Sequence, residues 1–141
     1  ADVFERGVAL GYRGISSKAC KGIYRSLHSA WLVAQDPQRR LLSGEDLTCQ
    51  AGLAVQQDTL LASSLGVTHI ERNGHHYVDG FGTAPESESL GFAQAHPGLY
   101  AISQGRARLA VQGGQLNLSS LHGPGFRRAA SPHWSRLSPM N

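Results

Sequence analysis

Apolar residues recur along this chain in short bursts whose spacing switches between helical and alternating. Val3, Phe4, Val8 and Leu10 suit one face of an amphipathic helix over residues 2–10, weakened by Gly7 and stopped at Gly11. Residues 13–17 form a small alternating stretch, the pattern of a strand that hands over to a helix near Gly22. Over 19–35, Ile23, Leu27, Ala30, Trp31 and Ala34 return at three- and four-residue intervals, predicting a strong helix with Trp31 in the core, ended by Asp36-Pro37. Leu41-Leu42-Ser43 reads as a small strand, and residues 50–65 as a helix with Leu53, Val55, Leu60, Leu61 and Leu65 on its apolar side and Gly66 as its stop. Residues 67–71 read as a third short strand. Strand, helix, strand, helix, strand is the alternation of parallel βαβ units.

Beyond Asn73 the texture changes. SESLGFAQAH predicts a short helix ended by Pro97. In residues 106–121, Leu109, Val111, Leu116 and Leu118 alternate around Gly113-Gly114, predicting a β-hairpin whose two-residue turn uses positive φ at both glycines. The tail from Arg127, rich in Ser, Pro and Arg, lacks periodicity and is expected to be loosely ordered.

The chain has 141 residues, 40% hydrophobic and 16% charged, with 17 glycines. That suits one domain of ordinary size with a real core. The formal charge of +3 comes with arginines scattered along the chain, and no basic face interleaved with aromatics is visible. A nucleic-acid partner is therefore not expected. No apolar run approaches the roughly 20 residues of a membrane span, and no signal-peptide pattern opens the chain, so no membrane partner is expected. Cys20 and Cys49 fit neither a disulfide framework nor a zinc spacing, which favours reduced thiols and a cytoplasmic home. The opening ADVFERG, without an initiating methionine, reads as a piece of something longer.

Lys18 is the leading candidate for chemistry. A lysine at the C-terminal end of a buried strand is partly desolvated, and its pKa can fall far enough for it to act as a base. Glu45 and Asp46 follow the second strand, where a carboxylate could serve an active site or Asp46 could cap the next helix. Glu71 ends the third strand. ERNGHHYVDG gathers Glu71, His75, His76 and Asp79, an invitation to a metal reading. Adjacent histidines point to opposite sides of an extended chain, so a loop in which His75 or His76 meets an anionic substrate is preferred, with a plain surface turn as the simpler alternative.

Three segments resemble the last third of the barrel domain of the enolase superfamily, in its mandelate racemase and muconate lactonizing enzyme branch. SSKACKGIYRSLHSAWLVA looks like the sixth strand with its terminal lysine and following helix. LLSGEDLTCQAGLAVQQDTLLASSLG looks like the seventh strand and helix. LAVQGGQLNLSSLHGPGF looks like the C-terminal segment. The resemblance implies an α/β fold: a partial (β/α) barrel comprising the last three βα units over residues 1–104, a C-terminal hairpin-like extension over 105–126 and an irregular tail over 127–141.

It also implies a Mg²⁺-dependent dehydratase, racemase or cycloisomerase that removes a proton α to the carboxylate of a small-molecule substrate. In that reading Lys18 is the base, Glu45 or Asp46 lies at the mouth after strand seven, and Glu71 ends strand eight. The family's metal carboxylates come from its third, fourth and fifth strands, so Mg²⁺ ligands are expected upstream rather than in this chain. Three strands cannot close a barrel of about 250 residues. The remaining strands are expected from the same or another chain, homo-oligomers are left open, and the chain should be inactive alone. The competing class is a non-catalytic α/β interaction module, or a barrel remnant that folds against a partner.

Overall fold

The computed structural model describes residues 2–45, 50–72, 77–124 and 129–136. The chain divides into two compact units, Ala1–Leu47 with Leu61–Asn73, and Thr48–Leu60 with Gly74–Asn141. In order, the described elements are α1 (Asp2–Ala9), β1 (Gly14–Ser17), a 3₁₀ turn (Ala19–Lys21), α2 (Ile23–Ala34), β2 (Leu41–Glu45), α3 (Leu53–Ser64), β3 (Ile70–Glu71), α4 (Glu86–Ala95), β4 (Tyr100–Ser103) and β5 (Arg106–Leu109), followed by 3₁₀ turns at Ser119–Leu121 and Trp134–Arg136. The result is a mixed α/β fold.

In the first unit β1, β2 and β3 form a parallel sheet in that order. Among the described residues the sheet is open and no barrel closes. The α2 crossover supplies the connection that parallel neighbours require. The helix expected over 19–35 is divided: Gly22, at φ +94, separates the 3₁₀ turn from α2. The expected face of α2 is reversed. Ser26, Ser29 and Leu32 are buried, whereas Ile23, Leu27 and Trp31 are 43%, 49% and 58% exposed. Small serines allow the helix to sit close to β1, and the Ser17 hydroxyl donates to Ser26 Oγ at 2.8 Å. Trp31 is thus a surface residue, stacked on His28.

The C-terminus of α3 closes as the sequence predicts. Gly66 adopts φ +70, its N–H donates to the Ser63 carbonyl, and the Val67 N–H donates to that of Ala62. This paired arrangement satisfies the last carbonyls and requires a residue at ease in the left-handed region.

The second unit has a core of Val55, Phe92, Leu99, Tyr100, Leu109 and Leu121, with Phe81 packed against Phe92 and Tyr100. At roughly 1.5–3 kcal/mol per fully buried large apolar side chain, this cluster is the main source of cohesion in the unit. Tyr100 ties it to α3, because its hydroxyl accepts from Gly52 N–H and from Gln56 Nε2, each at 3.1 Å.

The expected hairpin is displaced. β5 pairs antiparallel with β4, not with residues 116–118, and the turn falls at Gln104-Gly105, with φ +53 and +73. Gly113-Gly114 does form a two-residue turn with positive φ at both positions, but it closes a single bridge, Gln112 with Gln115. Within the described part of the tail, His133 N–H donates to Glu88 Oε2 at 2.8 Å. No helix among the described residues is long and apolar enough to cross a membrane.

Candidate functional site

Parallel pairing brings three strand ends together. Ser17 is level with Gly44, and Glu45 is level with Glu71. Lys18, extended at φ −136 and ψ 127, continues β1 by one residue and so stands level with Glu45. The row Lys18, Glu45, Glu71 runs across the C-terminal edge of the sheet. Lys18 Nζ lies 2.8 Å from Glu45 Oε1, and the two side chains are 23% and 27% exposed.

A carboxylate from the neighbouring strand holds the amine, an arrangement that positions both groups through one charge-assisted hydrogen bond. An amine held at this edge is a group that can exchange a proton with a bound molecule. Glu71 is exposed on the adjoining strand.

Asp46, His75 and His76 lie outside the described residues, as does Cys49. Asp79, the remaining acid of the ERNGHHYVDG cluster, belongs to the second unit and is committed elsewhere. Arg108 Nε and Arg106 Nη1 donate to its two oxygens at 2.7 and 2.8 Å. The Arg108 hydrogen bond, with help from both guanidinium charges and against some desolvation, holds the Asp79 carboxyl below its ordinary range. This clamp joins positions 27 and 29 residues apart, so no local sequence pattern announces it. Among the described residues no group of three or more His, Cys, Asp or Glu is placed to hold a metal ion. Cys20 is an exposed free thiol.

Sequence reasoning also missed a set on the helix side of β1. Lys21, Arg25, Ser26 and Ser29 border a concavity of about 320 Å³ beside Ser17 and Lys18. The signal was present as cations and hydroxyls at near-helical spacing, in a helix that starts at a glycine with no acid in its first turn. No family model matches the chain, and neither a curated protein nor a solved structure matches it.

Proposed function

We propose that this chain supplies part of an enzyme active site at the C-terminal edge of a parallel β/α sheet, where Lys18 moves a proton at the carbon α to a substrate carboxylate. The observation that carries the reading is the Lys18–Glu45 pair at 2.8 Å on adjacent strand ends, in line with Glu71. In the forward step the Lys18 amine, entering as the free base, takes the α-proton and becomes an ammonium held by Glu45, while the electron pair stays on the substrate as an enediolate. In the reverse direction the ammonium returns the proton to carbon. Glu45 positions the amine, and Glu71 faces the substrate or orients a neighbour.

The reaction class is that of an enolase-superfamily-like dehydratase, racemase or cycloisomerase. The remaining strands come from elsewhere in the same polypeptide or from another chain, which accounts for the two open edges of the sheet. The described donors do not fit a Mg²⁺ centre, because no three of their His, Cys, Asp or Glu side chains converge and Glu45 is paired with Lys18. No step is therefore routed through the ion, and its ligands belong to the missing strands. His75 and His76 keep their assignment as substrate contacts, and the cytoplasm remains the proposed compartment.

The test is α-proton exchange from a panel of 2-hydroxy acids into D₂O by the full native polypeptide that carries this sequence. Deuterium at the α-carbon of any member supports the reading, and its absence across the panel with folded protein refutes it. A second reading, a non-catalytic interaction module, draws on the exposed apolar stripe Ile23, Leu27 and Trp31. That reading predicts no exchange, together with stable association of the chain through α2.

A further inference from the structure

α2 rests on β1 and β2 through Ser26, Ser29 and Leu32 and turns its larger apolar side chains to solvent. Ile23, Leu27, Ala30 and Ala34 recur at spacings of four, three and four residues, the step of a helix–helix seam, over about 16 Å of helix. Tyr24, 90% exposed, and Trp31 flank the seam on one side, and His28 stacks on Trp31 beside them. The helix has a single Arg and no Asp, Glu or Lys. That residue, Arg25, borders the concavity on the β1 side. Apolar and aromatic side chains without charge are the composition of an interface centre rather than of a solvated helix face.

Further strands of a β/α sheet do not cover this face. At 100° per residue, the seam stands roughly 145° around the axis from the centre of the set that meets the sheet. A βα unit joined at either edge of the sheet lays its own helix beside α2, in the same layer, and leaves the outer side open. A second copy of the face fits it. Antiparallel pairing about a two-fold axis level with the His28–Ser29 peptide sets Ile23 against Ala34 and Leu27 against Ala30, so each large side chain of one copy stands over an alanine of the other. Large over small lets two helices approach closely. Parallel pairing loses this match, since it sets Ile23 on Ile23 and alanine on alanine. The flank agrees, because the antiparallel arrangement lays Trp31 alongside Tyr24 and His28 of the second copy, a ring contact repeated on both sides of the axis.

The area matches a reversible dimer. At about 150–250 Å² per aromatic side chain, the exposed parts of Tyr24 and Trp31 come to roughly 300 Å². Ile23 and Leu27 bring the patch to roughly 450 Å² on each copy, about 900 Å² for a symmetric pair. That lies at the small end of protein interfaces, where association is transient rather than obligate.

We propose that α2 pairs antiparallel with α2 of a second copy of this chain across a two-fold axis, with Leu27 of each copy seated on Ala30 of the other. The pairing uses neither Lys18 nor Glu45 and stands or falls without the proton-transfer reading.

The test is sedimentation equilibrium of the full native polypeptide from about 1 µM to about 1 mM, with circular dichroism confirming the fold of every variant. It is repeated for Leu27→Glu, for Leu27→Lys, for an equimolar mixture of the two, and for Val111→Glu as a control at an exposed apolar residue of the second unit. The expected result is a reversible dimer with a dissociation constant on the order of 10–100 µM, weakened at least about tenfold in Leu27→Glu and in Leu27→Lys, where like charges meet near the axis. The mixture should recover to within about threefold of the parent, because opposite charges then face each other, and Val111→Glu should change the constant less than about twofold. A parent that stays monomeric throughout, a dimer that neither Leu27 variant weakens, or a mixture that fails to recover overturns the proposal. So does photo-cross-linking from a benzoylphenylalanine at position 24 that joins only residues of one chain, which assigns the face to another part of the same polypeptide. Association is read without turnover, so its failure leaves the α-proton exchange result standing, and the dimer stands with either outcome of that exchange.

Discussion

Replacing Tyr100 by phenylalanine removes one oxygen and leaves two donors, Gly52 N–H and Gln56 Nε2, without their acceptor in the core of the second unit. A buried donor stripped of its partner costs about 1–3 kcal/mol, so the two together should cost about 2–6 kcal/mol at pH 7. The ring stays, and with it the packing against Phe81, so the loss isolates the hydroxyl. Burial also pushes the Tyr100 phenol up from 10.0 to about 12, against the two hydrogen bonds it accepts. The folded chain therefore holds this proton more tightly than the unfolded chain does. Stability from this source is complete below pH 10 and is lost as the pH rises through about 12. By pH 12 the linkage removes about 2 kcal/mol from the parent and nothing from Tyr100→Phe. Urea denaturation of both proteins at pH 7 and at several values up to pH 12 reads the two effects together. The gap between parent and variant should be largest at neutral pH and narrow sharply in alkali. A loss under about 0.5 kcal/mol at pH 7, or a gap that stays constant to pH 12, would refute the reasoning.

The second unit offers further checks. Gly80→Ala places a Cβ 2.5 Å from the Ala107 carbonyl oxygen at φ +74, so thermal and urea unfolding should show a loss of at least about 2 kcal/mol, and a neutral outcome contradicts the close approach. Gln104 occupies the left-handed region at φ +53 in the β4–β5 turn. Gln104→Asn should therefore stabilise by about 0.5 kcal/mol, seen as a raised midpoint in urea, and a lowered midpoint counts against the turn geometry. Asp79, held below its ordinary range chiefly by Arg108, contributes stability that is present above that range and lost as the pH falls through its lowered value. Asp79→Asn should flatten this acid limb of the pH–stability curve, and an unchanged limb would show that the clamp does not form in solution.

The helix ends were legible because their signals are local. Gly11, Gly66 and Pro97 each act on the residues immediately before them, and α1, α3 and α4 stop where those residues say. The orientation of α2 was not legible. Periodicity reveals that Ile23, Leu27 and Trp31 share a side, but not which side meets the sheet, and here the small hydroxyl face of Ser26 and Ser29 does. The hairpin was mislocated for a related reason. Gly113-Gly114 carries the stronger turn signal, yet the ladder forms across Gln104-Gly105, where a glutamine takes positive φ against its preference and strand pairing outweighs the local cost.

At the candidate site, the placement of Lys18 and Glu45 at strand ends followed from the βαβ alternation. Their direct pairing did not, because it depends on strand register. The concavity beside Lys18 that Lys21, Arg25, Ser26 and Ser29 border was not legible, because it depends on how α2 packs on β1. The Asp79 clamp depends wholly on tertiary structure.

The central claim is that the Lys18 amine, held by Glu45, carries a proton to and from carbon. Its most direct test is the rate of α-deuterium incorporation into the responsive 2-hydroxy acid, compared between the full native polypeptide and its Lys18→Met variant, with circular dichroism confirming that both are folded. The account predicts a loss of about 10²–10⁴-fold in the variant, the usual worth of a positioned proton-transfer group. Exchange that persists in Lys18→Met within threefold of the parent rate would contradict it.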